Sequence, residues 1–131
     1  MIVDDKLSEY KDNIEALQLI DKLEVYRWMI SLGKKLQDDP LSEENRINEN
    51  RVSRCQFSLF VDKEDNIYKA YSDAIIASGY AYMLVDVFNS AGEDAKDITA
   101  ESFNQLEIAN LLSLNRQNGF YQMIGMMKER I

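Results

Sequence analysis

The chain has 131 residues, of which 46% are hydrophobic, and it carries a formal net charge of −8 at pH 7. This length and apolar content predict a single domain with one core, spanning residues 1–131. The acidic balance argues against nucleic acid as a partner, because phosphate backbones would be repelled. The chain has no histidine and one cysteine, which excludes a Cys-His hydrolase and an internal disulfide, and predicts neither a metal site nor a bound cofactor.

The first residues of the chain favour a cytoplasmic protein. Residues 1–5 are acidic and lack the long apolar run of an export signal. No segment approaches the length of a membrane span, so we expect no membrane contact. A single cysteine, which cannot form an internal disulfide, is also typical of a protein in a reducing compartment.

The first third of the chain predicts two helices. Apolar residues recur at helical spacing over about residues 5–20 and again over about 22–38. Asp21 is placed to cap the second helix, and Pro40 disfavours helix in the residue before it. Gly33 weakens that helix relative to alanine, which indicates close approach of another element. The apolar positions are Leu7, Tyr10, Ile14, Leu17, Val25, Met29, Leu32 and Leu36.

Two strands are predicted next, over about residues 56–62 and 67–72. In the first, Phe57, Leu59 and Val61 alternate with polar side chains, which is the period of a half-buried strand. The four residues between the strands suit a hairpin. Residues 47–53 are a candidate third strand, since two strands alone would be marginal.

The remaining segments predict helices. Ser72 or Asp73 is the expected N-cap of a strongly apolar helix over about residues 75–88, and capping is the simplest role for Asp73. Thr99 is expected to cap a short helix, and a last helix is predicted over about 115–130. The buried set of that last helix is predicted to be Phe120, Met123, Ile124, Met127 and Ile131. The order of elements predicts an α+β fold in which a small antiparallel sheet of about three strands packs against helices.

Cys55 lies just before the first predicted strand. A loop there could present a thiol while the sheet behind holds it in place. The plainer interpretation is that Cys55 is a small buried apolar residue, which is the more common role of a lone cysteine. Without histidine or other nearby base in the sequence, any chemistry at Cys55 would need a second molecule.

Four segments, in this order, resemble the SufE/CsdE family of sulfur-acceptor proteins. Residues 26–36, YRWMISLGKKL, are similar to the family's Y-x-x-x-I-x-L-G-x-x-L helix. Residues 50–56, NRVSRCQ, resemble its N-x-V-x-G-C-Q-S cysteine segment, and residues 72–79, SDAIIASG, resemble S-D-A-x-I-x-x-G. Residues 112–119, LSLNRQNG, resemble L-T-x-x-R-x-x-G. The resemblance covers most of the chain from about residue 21 onward and implies a SufE/NifU-like fold.

The resemblance implies an accessory protein of iron–sulfur cluster assembly, not an enzyme. Such proteins take sulfur from a pyridoxal-phosphate cysteine desulfurase of the SufS/CsdA kind, stimulate it, hold the sulfur as a cysteine persulfide and pass it to a SufB-like scaffold. Cys55 would be the acceptor. Arg116 matches the arginine near the family's cysteine loop, and Asp73 matches a position at the base of that loop. Arg51, Arg54 and Gln56 belong to the same segment and would support the loop or contact the partner.

Two departures from the family pattern leave an alternative open. Arg54 stands where the family has glycine before the cysteine, and Phe57 where it has serine. Glycine allows loop conformations that a branched residue resists. The arginine could instead place a cation beside the thiol. The alternative function is therefore a non-catalytic adaptor that regulates a cysteine desulfurase with sulfur transfer impaired.

Overall fold

The structure, a computed structural model, describes residues 2–131 apart from the side chains of residues 2 and 109. Helices surround one small sheet, as the α+β prediction requires. The α-helices are α1 (Ile2–Ile20), α2 (Lys22–Asp38), α3 (Ile75–Ala91), α4 (Ile108–Leu111) and α5 (Leu114–Glu129). Short 3₁₀ helices lie at Glu43–Asn45, Asn48–Asn50, Gly92–Asp97 and Ala100–Leu106.

The N-terminal helices form as the apolar spacing predicted. Leu7, Tyr10 and Ile14 of α1 are buried, and the carboxylate of Asp21 caps α2 by accepting from the Leu23 N–H at 3.2 Å. Helix α2 then packs closely on α3. A Cβ atom added at Gly79 of α3 would lie 2.5 Å from the carbonyl oxygen of Met29. One added at Gly33 would lie 3.0 Å from that of Ile75, which confirms the predicted close approach at Gly33.

The hairpin consists of β1 (Leu59–Glu64) and β2 (Ile67–Ser72). The strands are antiparallel, with Leu59 opposite Ser72 and Glu64 opposite Ile67. Asp65 and Asn66 form the tight turn, and both have positive φ, at 51° and 68°. Those are residue types that tolerate the left-handed conformation.

The predicted strand count and the start of the first strand are wrong. The sheet has two strands within residues 2–131. Residues 47–53 instead hold the 3₁₀ turn Asn48–Asn50 and a single antiparallel bridge from Arg51 to Phe60. Strand β1 begins at Leu59 and not at 56, so Phe57 is in the loop and is 43% exposed. The missing third strand is compensated by α3, which packs on β2.

The buried side chains form one core that extends from α1 and α2 across α3 to the hairpin and α5. Aromatic rings meet edge to face there: Tyr68 contacts Phe88 at 5.4 Å between centroids, and Tyr80 contacts Phe120 at 5.8 Å. The predicted buried positions of the last helix are confirmed except for Ile131, which lies beyond α5 and is 55% exposed. Burying these apolar side chains supplies the main driving force for the fold.

The start of α3 differs from the prediction in a way that matters for the site. The N-cap position is Ala74, and neither Ser72 nor Asp73 occupies it. The Ser72 hydroxyl accepts from the Ala74 N–H at 3.1 Å and donates to the Ser58 carbonyl at 2.6 Å. Ser72 thus links the helix start to the loop that follows the cysteine, and the side chain of Asp73 is left exposed.

Candidate functional site

Cys55 lies in a short loop between two fixed points. The Val52 N–H donates to the Leu59 carbonyl at 2.8 Å, which closes residues 53–58 into a loop at the end of the hairpin. Inside it, the Cys55 N–H donates to the Val52 carbonyl at 3.1 Å and so makes a turn. The turn directs the cysteine inward, and Cys55 is only 6% exposed. The thiol is free and buried in this structure.

Gln122 of α5 fastens the loop from the other side. Its side-chain oxygen accepts from the Arg54 N–H at 2.7 Å, and its side-chain nitrogen donates to the Ser53 hydroxyl at 2.9 Å. Both groups lie immediately before Cys55 in the chain. A single amide therefore sets the position of the backbone that carries the thiol.

A pocket of about 540 Å³ opens beside the loop. One wall comes from the loop itself, one from the start of α3 and one from the start of α5. Its lining is mostly apolar, and Phe57 and Ile75 expose a large part of their side chains around it. The lining residues are Cys55, Gln56, Phe57, Asp73, Ala74, Ile75, Ile76, Ala77, Ser113, Asn115 and Arg116. A buried thiol at the wall of an apolar pocket is a usual setting for a binding or transfer site.

Arg116 provides the cation of this pocket. Ser113 caps α5, because its hydroxyl accepts from the Arg116 N–H at 3.4 Å. The side chain of Arg116 is half-buried. Within residues 2–131 its guanidinium makes no ion pair and no hydrogen bond. Arginine at a helix N-terminus is disfavoured by the helix dipole, so a role outside helix stability accounts better for its position.

Tyr80 of α3 completes the surroundings of the thiol. It is fully buried and packs near Gly119 of α5. A Cβ atom added at Gly119 would lie 2.6 Å from the Tyr80 hydroxyl oxygen and 3.3 Å from Cys55 Cβ. Burial raises the pKa of Tyr80 far above its ordinary value, the neighbouring Cys55 raises it further, and Arg116 opposes that rise. Cys55 and Arg116 therefore both lie close enough to act on the Tyr80 hydroxyl.

The structure brings together four of the six residues selected from the sequence. Cys55, Gln56, Asp73 and Arg116 all line the pocket. The exposed Arg54 stands next to the cysteine but is not part of the lining, and Arg51 points to solvent from the isolated bridge with Phe60. Asp73 was interpreted from the sequence as a helix cap; that interpretation is wrong, because the N-cap position is Ala74, and Asp73 lines the pocket instead.

Gln122, Tyr80 and Gly119 were not selected from the sequence as functional. Gln122 contacts a backbone 68 residues earlier in the chain, which no local pattern predicts. Tyr80 lies within the strongly apolar helix predicted over about residues 75–88, where a tyrosine hydroxyl needs a hydrogen-bond partner when it is buried. Gly119 is the last residue of the segment 112–119, and its position in that motif was the available indication.

Within the described residues, no group of three or more histidine, cysteine, aspartate or glutamate side chains is arranged to hold a metal ion. Across residues 2–131, none of the helices combines the length and apolar character that crossing a bilayer requires.

Comparison with known families accounts for this arrangement. The SufE family model, described as an Fe-S metabolism associated domain, matches residues 11–131. The chain belongs to the SufE family. The resemblance found in the four sequence segments is therefore confirmed, and the chain is associated with Fe–S metabolism as an accessory domain.

Two relatives share the family. An uncharacterized SufE-like protein of Synechocystis sp. is 28% identical over 110 residues, which cover 80% of this chain and 68% of the relative. SufE-like protein 1, chloroplastic/mitochondrial, of Arabidopsis thaliana is 29% identical over 111 residues, which cover 80% of this chain but 29% of the relative. The chain thus matches less than a third of the plant protein. That protein's name places it in organelles, so a cytoplasmic location for this chain stays a prediction.

Proposed function

We propose that residues 1–131 form a single SufE-like domain that carries sulfur for iron–sulfur cluster assembly. Cys55 accepts sulfane sulfur from the persulfide of a pyridoxal-phosphate cysteine desulfurase, stimulates that enzyme by removing its product, and passes the sulfur to a SufB-like scaffold. The observation that carries the proposal is the position of Cys55. The only cysteine of a SufE-family chain stands in the wall of a 540 Å³ pocket.

The transfer needs a single thiolate and no external oxidant. The Cys55 thiolate attacks the outer sulfur of the donor persulfide. A new S–S bond forms to Cys55 while the S–S bond of the donor breaks, and the donor cysteine leaves as a thiolate. The proton given up by the Cys55 thiol returns through solvent to that departing thiolate. The sulfane sulfur keeps its oxidation level, so the same exchange can run again toward the next acceptor.

The charges around Cys55 fit this exchange. Negative charge rests on Cys55 before the attack, and again on the outer sulfur once the persulfide ionises. Arg116, whose guanidinium forms no ion pair within residues 2–131, lines the same pocket and can pair with a negatively charged sulfur there. The apolar lining keeps bulk water away from a persulfide that would otherwise lose its sulfur.

The exposed apolar residues around the pocket suit contact with a partner protein. Phe57, Ile75 and Leu114 expose from 43% to 72% of their side chains. They stand in the Cys55 loop, at the start of α3 and at the start of α5, which are the elements that form the pocket. We propose that the desulfurase docks on this surface, and that docking displaces the loop enough to expose Cys55. The acidic net charge of −8 is consistent with a protein partner.

The test uses intact-mass spectrometry together with enzyme turnover. The chain is incubated with a SufS-like desulfurase, pyridoxal phosphate and L-cysteine, with Cys55→Ser as the matched control. The proposal predicts that the wild-type chain gains the mass of one sulfur atom and raises the rate of alanine formation. Cys55→Ser should do neither. Equal stimulation by both proteins would overturn the proposal.

The adaptor function has its own observation in its favour. Cys55 is buried, and Arg54 stands beside it where the family has glycine. If the chain binds the desulfurase and changes its turnover while the mass of the chain stays constant, the adaptor is the correct function. Reversion by Arg54→Gly should then restore the gain of sulfur, because glycine frees the loop.

A further inference from the structure

The hydroxyl of Tyr80 is the unusual polar group of this molecule. Tyr80 is fully buried, and within residues 2–131 its hydroxyl is the buried side-chain N or O atom that has no hydrogen-bond partner. Other tyrosines of the core are paired. Tyr10 donates to the Asp86 carboxylate at 2.6 Å, and Tyr68 donates to the Met127 carbonyl at 2.6 Å. Because a buried polar group without a partner is costly, each such case calls for an explanation.

The hydroxyl lies close to the Cys55 side chain. The Cβ position of Gly119 lies 2.6 Å from the Tyr80 hydroxyl oxygen and 3.3 Å from Cys55 Cβ, so the hydroxyl and Cys55 approach the same point on α5. Any larger residue at Gly119 would occupy that point. Burial and the neighbouring Cys55 both raise the pKa of Tyr80, so the hydroxyl keeps its proton at neutral pH and remains a donor.

We propose that Tyr80 is a hydrogen-bond donor to the sulfur of Cys55 in its anionic forms, the thiolate before sulfur transfer and the persulfide anion after it. A neutral thiol is a weak acceptor, whereas a thiolate accepts strongly. The hydroxyl, which has no hydrogen-bond partner within residues 2–131, therefore gains one when the sulfur becomes charged. The persulfide half of this inference rests on the proposed function; the thiolate half does not.

A Tyr80 that donates a hydrogen bond to the charged sulfur and a Tyr80 that only fills space have different consequences. If Tyr80 only fills space, phenylalanine replaces it without effect on the sulfur, and removing the unpaired hydroxyl stabilises the fold. If Tyr80 donates to the anion, the same replacement still removes an unpaired group from the resting protein, yet it makes the thiolate harder to form. Reactivity and stability then move in opposite directions.

The first experiment measures alkylation of Cys55 by iodoacetamide across the neutral to alkaline range, in wild type, Tyr80→Phe and Tyr82→Phe. Tyr82 lies two residues further along α3 and contacts Lys35 and not Cys55, so it is a matched control. Tyr80→Phe should be alkylated roughly tenfold more slowly near neutral pH, the size expected from one charge-assisted hydrogen bond. Its profile should move to higher pH and reach the wild-type rate there, while Tyr82→Phe should match wild type.

Three results would overturn the inference. They are an unchanged alkylation profile in Tyr80→Phe, a slowing by the same factor at every pH, and an equal effect in Tyr82→Phe. A uniform factor would mean that the loop, and not the charge on sulfur, had changed. If Tyr80→Phe fails to fold, the wild-type chain carrying ¹³C at tyrosine Cζ serves instead. The Tyr80 resonance should then shift over the pH range of Cys55 alkylation, and Cys55→Ser should lack that shift.

The second experiment addresses the persulfide. Wild type and Tyr80→Phe are first loaded with sulfur by the desulfurase, and the desulfurase is then removed. Mass spectrometry follows the loss of the sulfur from each protein. The inference predicts a loss several-fold faster in Tyr80→Phe, and equal lifetimes would contradict its persulfide half. If wild type accepts no sulfur at all, the proposed function fails. The alkylation profile still decides whether Tyr80 stabilises the thiolate.

Discussion

The two ends of the β1–β2 hairpin differ in how completely their polar groups are paired. At the turn end, the Tyr68 N–H donates to the Asn89 side-chain oxygen at 2.8 Å, and the Asn89 amide donates back to the Tyr68 carbonyl at 3.0 Å. The Tyr68 hydroxyl donates to the Met127 carbonyl. Within the described residues, no buried side-chain nitrogen or oxygen atom at this end lacks a hydrogen-bond partner, so this end serves stability.

At the cysteine end the pairing is incomplete. The backbone of the loop is held by Gln122 and Ser72. In the described part of the chain, the Tyr80 hydroxyl and the Arg116 guanidinium lack partners. The difference teaches that, among the described residues, the one buried hydroxyl without a partner and a half-buried guanidinium without an ion pair both lie beside the Cys55 loop.

The largest difference between the two ends should appear in the free energy of unfolding when the hydroxyl of Tyr68 or of Tyr80 is removed. Tyr68→Phe deletes a made hydrogen bond and should lower the free energy of unfolding by about 1 kcal/mol. Tyr80→Phe deletes an unpaired hydroxyl and should leave that free energy unchanged or raise it. Urea unfolding of both variants at neutral pH measures the difference. Equal destabilisation would mean that Tyr80 is paired after all and that the two ends are alike.

Loosening the cysteine loop should have the next largest effect. Gln122→Met keeps the length of the side chain but removes both hydrogen bonds to residues 53 and 54, which costs about 1 kcal/mol. Cys55 should then be alkylated roughly fivefold faster, because the loop opens more often. Asn118→Met, at an exposed position of the same helix, is the control. Unchanged alkylation in Gln122→Met would show that other contacts hold the loop.

Neutralising the two arginines nearest the thiol should separate their roles. Arg116→Gln removes the half-buried cation that lines the pocket, and sulfur acceptance from the desulfurase should fall by about threefold, the size of a screened charge interaction. Arg54→Gln should change acceptance less, since the exposed Arg54 is outside the lining. Single-turnover transfer followed by mass spectrometry measures both. A larger effect at Arg54 would reverse this assignment.

The smallest predicted effect is on the acid stability that Glu64 contributes at the turn end of the hairpin. The Ser42 N–H donates to the Glu64 carboxylate at 2.8 Å and lowers the pKa of Glu64 below its ordinary value of 4.5. The stability from this contact is therefore present above that ordinary value and is lost as pH falls through the lower folded value. Glu64→Gln should remove a few tenths of a kcal/mol of acid-sensitive stability. Acid unfolding curves that coincide for both proteins would contradict this.

The sequence predicted the scaffold better than the site. Helical spacing located α1, α2, α3 and α5 because each buries a repeated apolar face, and β2 was predicted at its observed bounds. The first strand was placed three residues early because the alternation of Phe57 with Leu59 continues into a loop. That alternation says nothing of whether a partner strand is present, and β2 ends opposite Leu59.

The site itself depends on contacts between distant segments. Cys55 was singled out by its position before the first predicted strand, and its acceptor role and Arg116 came from the resemblance to a family. Gln122 and Tyr80 meet the loop only through the packing of α3 and α5. Asp73 was predicted to be a helix cap because an aspartate just before an apolar helix fits that role as well as it fits a place in the pocket lining. Local pattern specifies the faces of elements, whereas long-range packing decides which polar side chains share a pocket.

The central claim is that Cys55 receives sulfur, and mapping transferred sulfur within the chain tests it most directly. The chain is incubated with the desulfurase and isotopically labelled L-cysteine, its thiols are blocked, and it is cleaved with trypsin. Cleavage after Arg54 and Lys63 gives a peptide that begins at Cys55. The account predicts one labelled sulfur on this peptide and none elsewhere. A desulfurase that turns over with the chain bound while the peptide stays unlabelled would contradict it.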